Sequence, residues 1–99
     1  MISAIILAAG LSSRMGIPKQ LLKLGGKTMV GIVTENVLAS KVDEVLVVTG
    51  HREQEIRAAI GELPAKILFN PHYAQGQGTS LALGAGAINA GASAFLVFM

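Results

Sequence analysis

Cysteine and tryptophan are both missing from this chain, and its only aromatic residues are Phe69, Tyr73, Phe95 and Phe98. Without cysteine, a disulfide framework, a Cys-ligated zinc site and a thiol nucleophile are all excluded. The scarce rings, none before residue 69, argue against a nucleic-acid surface, which interleaves aromatics with a long basic stripe. Charge is sparse as well: 14% of the residues are Asp, Glu, Lys or Arg, against about 25% in an average globular chain. The shortage is uneven. Residues 67–99 carry no charged side chain, and residues 1–34 carry no acid.

What the sequence has in quantity is apolar surface, 52% of its 99 residues. That is enough to offset the entropy of ordering, so disorder is excluded, and the length allows one domain and no more. The apolar run Ile2 to Leu11 has no basic residue before it and no small-residue cleavage site after it, so it does not read as a signal peptide. The uncharged stretch Thr79 to Met99 is long enough to cross a bilayer. However, Gly84, Gly86, Asn89, Gly91 and Ser93 interrupt it and no basic anchors flank it, so a membrane span is not expected. Together with the missing cysteines, this leads to the expectation of a cytoplasmic protein.

The net charge of +2 hides a split. Arg14, Lys19, Lys23 and Lys27 give residues 1–34 a charge of +4, while four basic and six acidic side chains give residues 35–99 a charge of −2. A basic N-terminal third without rings points to an anionic small molecule, most simply one bearing phosphates.

Short apolar runs at Ile2 to Ala8, Val42 to Thr49, Ile67 to Phe69 and Ala94 to Phe98 read as strands covered on both faces. Between the first two, Met29, Ile32, Val33 and Val37 form one helical stripe, with Thr34 and Glu35 away from it. Glu53 to Ile60 reads as a second helix, with Ile56, Ala59 and Ile60 inward and Gly61 as its stop. A third is expected to open at Thr79 or Ser80, to repeat Leu81, Gly84, Ala85 and Ile88, and to stop at Gly91. Alternating strands and helices imply a mainly parallel sheet in a three-layer α/β/α, Rossmann-like fold. Ligands of such sheets bind beyond the carboxyl ends of the strands. The segments there are Ala9 to Lys19, Gly50 to Arg52 and Asn70 to Gly78, which hold both histidines and three of the eight basic residues.

In the first of these segments, Gly10, Ser12 and Ser13 offer backbone N–H groups and hydroxyls to an anion, while Arg14 and Lys19 supply charge at two separated points. The alternative is a solvated loop whose basic residues do nothing specific. Gly25-Gly26-Lys27-Thr28 resembles the end of a phosphate-binding P-loop, but Leu21 stands where its first glycine is needed, so a turn opening the helix at Thr28 is expected instead. Gly76-Gln77-Gly78-Thr79-Ser80-Leu81 lacks the third glycine of a dinucleotide fingerprint. Residues 63–99 contain no Asp or Glu, so the carboxylate that Mg²⁺ requires is missing near the third and fourth strands. His51 and His72 fall in rim loops, where a lone histidine is more often incidental than catalytic.

Leu7-Ala8-Ala9-Gly10-x-Ser12-x-Arg14-Met15-Gly16-x-Pro18-Lys19, with Leu21-Leu22 and Gly26-Lys27-Thr28 after it, is similar to the signature loop of the MobA-like nucleotidyltransferases. Val47-Val48-Thr49-Gly50-His51 and Asn70-Pro71-x-Tyr73-Ala74-x-Gly76-x-Gly78-Thr79-Ser80-Leu81 resemble the next two blocks of that family. Within it the pattern looks closest to the molybdenum cofactor cytidylyltransferases, which join CTP to molybdopterin and release pyrophosphate.

The resemblance implies that Lys19 neutralises the α-phosphate under attack, that Arg14 holds the β- and γ-phosphates, and that the backbone from Gly10 to Ser13 wraps them. It further implies that Leu7, Ala8, Ala9 and Ser80 border the nucleotide, that Asn70 shapes the following loop, and that Gly76 and Gly78 allow close approach. Ala9, where the guanylyl branch carries a second glycine, favours CTP over GTP. Other family members continue into a Gly-Asp-x-Pro motif whose aspartate binds Mg²⁺, whereas this sequence stops at Met99. The expectation is therefore the N-terminal, nucleotide-binding part of a nucleotide-diphospho-sugar transferase-like domain, occupying residues 1–99. Its metal ligand and acceptor site would lie further on, and it would be inactive by itself. The alternatives are a guanylyl- or sugar-phosphate nucleotidyltransferase, a methylerythritol phosphate cytidylyltransferase, or a non-catalytic nucleotide-binding module that completes its sheet edge as a homodimer.

Overall fold

Four strands form one parallel sheet: β1 (Ile2–Ala8), β4 (Glu44–Thr49), β5 (Lys66–Phe69) and β6 (Ala94–Phe98). They were located in a computed structural model that describes residues 2–9, 21–88 and 94–98. Their spatial order is β5-β4-β1-β6. In register, Ser3 faces Glu44 and Ala8 faces Thr49 across one side of β1, and Ile2 faces Ala94 across the other. A two-stranded antiparallel hairpin, β2 (Lys23–Leu24) and β3 (Lys27–Thr28), precedes the first helix. Both of its turn residues have positive φ, Gly25 at 59° and Gly26 at 85°, as the tight turns that match strand twist demand. Gly25-Gly26 is thus a hairpin turn, consistent with rejecting the P-loop.

Helix α1 (Met29–Leu38) and helix α2 (Glu53–Ile60) cover one face of the sheet, and α3 (Gln77–Ala87) covers the other. The alternation of β1 serves both layers. Ala4, Ile6 and Ala8 join Val30, Val37, Val45, Val47, Ile56 and Ile60 in the larger core, while Ile5 and Leu7 join Val48 beneath Leu83 and Ile88. This is the expected three-layer arrangement. On the α3 side helix and sheet come close at Gly84, where a methyl group would meet Ile5 at 3.0 Å and Val48 at 3.2 Å.

Thr28 caps α1 by accepting from the Gly31 N–H at 3.1 Å, and α2 runs from Glu53 to Ile60 and stops at Gly61, with φ of 61°. Several expectations are corrected. The inward stripe of α1 is Val30, Thr34 and Val37, so Thr34 faces the core; its β-branched shape lets it take a place that suits valine. Helix α3 opens three to four residues early, with Gly76 rather than Thr79 or Ser80 at its N-cap, and the Thr79 and Ser80 hydroxyls are engaged by a side chain of the preceding loop. It gives way at Ala87, and its Leu81 is exposed. Finally, β4 starts at Glu44 rather than Val42, where the ladder with Ser3 begins.

At the amino edge of the sheet, Glu44 is buried and accepts from the Ser3 hydroxyl at 2.8 Å and from Lys66 Nζ at 2.8 Å. The stretch from Thr79 onward is divided between α3 and strand β6. No helix among the described residues is long and apolar enough to cross a membrane.

Candidate functional site

The strand order sets where a ligand can sit. From β1 the chain moves to β4 and then β5 on one side, and through α3 it returns to β6 on the other side of β1. Order reverses beside β1, and a crevice opens beyond the carboxyl ends of strands at such a point. Leu7, Ala8 and Ala9 lie at that end and are all buried, Leu7 under α3 and Ala8 in the larger core. Any contact that Leu7 or Ala8 makes with a ligand must therefore come from the backbone. The loop that follows, with Gly10, Ser12, Ser13, Arg14 and Lys19, lies outside the described residues.

The best-defined part of the rim is built around Asn70, which follows β5 and is 2% exposed. Its backbone N–H extends the ladder to the Thr49 carbonyl at 2.7 Å. Its side chain reaches across to α3: Nδ2 donates to Thr79 Oγ1 at 2.9 Å and to Ser80 Oγ at 2.8 Å, while Oδ1 accepts from the His72 N–H at 2.9 Å. This side chain uses both amide donors and its carbonyl, and a buried amide needs such satisfaction. The Thr79 hydroxyl lies 2.8 Å from the Gly76 carbonyl and 3.1 Å from that of His72. Asn70 thus ties together the end of β5, the turn at Pro71 and His72, and the first turn of α3.

That first turn bears no acidic residue and no side-chain cap, and Gly76 precedes it with φ of 112° and ψ of 167°, a conformation reserved for glycine. Helix N-termini leave N–H groups unpaired and concentrate positive potential, which suits phosphate. Gly78 is exposed, and a methyl group built on it would meet nothing within 4 Å. Gly76 is therefore explained by its backbone and Gly78 by neither backbone nor packing. Ser80 is 2% exposed with its hydroxyl held by Asn70, so here it tethers α3.

Three further residues shape the rim beyond those given a binding role from the sequence. Gly50, just beyond β4, is so closely covered that a Cβ there would fall 2.4 Å from Tyr73 Cβ and 2.9 Å from Ala9 Cβ. His51 places its ring centroid 6.1 Å from that of Tyr73, tilted by 42°. Thr49 donates a hydrogen bond to the Glu53 carboxylate, which also accepts from Arg57 at 2.7 Å. Burial pushes the Glu53 pKa up, but the bonds from Thr49 and Arg57 and the charge of Arg57 outweigh it and hold the carboxyl below its usual range. The available signal was a glycine ending an apolar strand, with the sequence's lone tyrosine in the next rim loop.

Among the described residues no three His, Asp or Glu side chains converge on a metal position. Glu53 is committed to Thr49 and Arg57, and Glu55 to Arg52 at 3.2 Å. The described rim supplies amides and hydroxyls, and it does not fit a Mg²⁺ site.

Comparison with known proteins agrees with this architecture. A nucleotidyl transferase from Methanothermobacter superposes with a TM-score of 0.86 at 32% identity, over 98% of this chain and 50% of that one. Nicotine blue oxidoreductase of Paenarthrobacter nicotinovorans is 33% identical over 84 residues, which is 84% of this chain and 41% of that protein. A probable molybdenum cofactor guanylyltransferase of Natranaerobius thermophilus is 45% identical over 53 residues, 54% of this chain and 25% of that protein. The chain thus spans half or less of each of these relatives. Residues 4–99 match the model of the MobA-like NTP transferase domain, running from the buried strand β1 through the Asn70 junction to β6, and the chain belongs to that family.

Proposed function

We propose that this chain is the nucleotide-binding part of a nucleotidyltransferase, and that the whole protein transfers CMP from CTP to molybdopterin with release of pyrophosphate. The observation that carries the reading is that strand order reverses beside β1, while the N-terminus of α3 is tethered by Asn70 at the carboxyl end of β5 in the same sheet. In the proposed step an acceptor phosphate oxygen attacks the α-phosphorus, and the bond to the β-phosphate oxygen breaks. Lys19 and Arg14 serve as the phosphate-handling residues, since charge stabilisation and positioning are most of what such transfer asks of a protein. Gly10, Ser12 and Ser13 wrap the phosphates, while Leu7, Ala8 and Ala9 border the nucleotide.

Support comes from the family membership and from the Methanothermobacter and Natranaerobius relatives, whose names are those of a nucleotidyl and a guanylyl transferase. The choice of CTP rests on Ala9, which stands where the guanylyl branch carries a second glycine. The test is CTP-dependent pyrophosphate release by the full protein with molybdopterin as acceptor, repeated with GTP and with Lys19→Ala. Release with CTP that is lost in Lys19→Ala supports the reading. Preference for GTP moves the assignment to guanylyl transfer, and full activity of Lys19→Ala removes the role given to Lys19.

A further inference from the structure

The contact between Tyr73 and Gly50 joins the turn before α3 to the end of β4, beside the end of β1. Tyr73 belongs to a 3₁₀ turn, Tyr73–Gln75, between β5 and α3, Gly50 ends β4, and Ala9 follows β1. Real Cβ atoms essentially never approach others within 3.0 Å, yet a Cβ at Gly50 would lie 2.4 Å from Tyr73 Cβ, 2.7 Å from its Cγ and 2.9 Å from Ala9 Cβ. The base of the tyrosine thus rests directly on the Gly50 backbone, and Ala9 packs beside the same point of that backbone. The same turn leads into α3: the Gly76 N–H donates to the Tyr73 carbonyl at 3.4 Å, and the Thr79 N–H donates to the Gly76 carbonyl at 3.2 Å. Asn70 fixes α3 from the β5 side. Tyr73 fixes the turn from the β4 side, so the start of α3 has two anchors, and only one is a hydrogen-bond network.

We infer that Tyr73 is a positioning residue for nucleotide binding: seated on Gly50, it sets the height of the Gly76 to Ser80 turn at the carboxyl rim of the sheet. The inference rests on the nucleotidyltransferase reading and adds to it a part for two residues outside the phosphate loop. Its basis is steric and lies at Cβ and Cγ of Tyr73, so these atoms and their seat matter and the phenolic hydroxyl does not.

The experiment measures NTP affinity by calorimetry, KM and kcat, and the thermal midpoint in the full protein and in Tyr73→Phe, Tyr73→Leu, Tyr73→Ala and Gly50→Ala. Tyr73→Phe is expected within about twofold of the parent. Tyr73→Ala and Gly50→Ala are expected to raise Kd and KM for the NTP roughly tenfold or more, a change of about 1.4 kcal/mol in binding. Tyr73→Leu, which keeps Cβ and Cγ, should bind as the parent does. The kcat should hold, since Lys19 and Arg14 lie on another segment. Tyr73→Ala only removes atoms and leaves the Asn70 network in place, so it decides the matter if Gly50→Ala fails to fold. Unchanged affinity in Tyr73→Ala, equal loss in Tyr73→Phe, or a loss confined to kcat would each overturn the inference. A parent protein that binds no NTP overturns the functional reading itself, and it does so before any variant is made.

Discussion

The Asn70 amide, at the end of β5, donates to the buried Ser80 hydroxyl in α3 at 2.8 Å, so one side chain carries the sheet's carboxyl edge onto the helix of the opposite layer. Removing it leaves the Ser80 hydroxyl and the His72 N–H without their partner inside the protein. Asn70→Ala should therefore lose about 2–3 kcal/mol of stability, in line with the cost of buried groups left unpaired. Urea denaturation of both proteins measures it. A loss near zero would mean that the junction is dispensable.

Gly78 separates ligand contact from structural need. With nothing within 4 Å of an added methyl group and a helical position to occupy, Gly78→Ala should fold at least as stably as the parent, gaining up to about 1 kcal/mol from helix propensity. If phosphate or base approaches this turn closely, the same variant should bind NTP at least about tenfold more weakly, a difference of about 1.4 kcal/mol. Thermal melting and calorimetry on one sample check both halves of the prediction.

Among the described residues, the Thr34 hydroxyl is a buried polar atom with no hydrogen-bond partner, on a residue 0% exposed. Thr34→Val keeps the shape and removes the unpaired group, so it should stabilise the protein by about 1 kcal/mol. A chemical denaturation midpoint that falls would contradict this reading of the helix face.

Glu53 gives the rim a pH dependence of definite sign. Its pKa is held below the ordinary value, so its contribution is complete above the unfolded pKa and is lost as pH falls through the lower, folded one. The stability difference between the parent and Glu53→Gln should be constant above about pH 5.5 and shrink on acidification below the usual glutamate pKa of about 4.3. Denaturation series at several pH values provide the comparison. A difference that grows toward low pH would show the sign to be wrong.

Strands β1 and β6 and helix α2 were legible to the residue because continuous apolar runs and a capped 3.6-residue period leave few alternatives. The face of α1 was not: threonine counts as polar in a pattern, but it packs like valine once the helix turns it inward. The start of α3 was misread for a related reason. Thr79 and Ser80 are natural caps by type, and only the fold brings Asn70 within reach to claim their hydroxyls. Of the site residues, Ala9 and Asn70 directly follow β1 and β5 and Gly76 precedes α3, as the strand and helix pattern places them. The Gly50 and Tyr73 contact escaped because it spans three loops and leaves no spacing to read.

The central claim is that nucleotide binds at the carboxyl rim beside β1. The direct measurement is a backbone amide NMR titration of the protein with CTP. The account predicts saturable shifts at Ala8, Ala9, Gly50 and Gly76 to Ser80, and none at Asp43, Glu44 and Lys66, which line a cavity of about 230 Å³ at the opposite edge. Shifts confined to that opposite edge, or none at millimolar CTP, would contradict it.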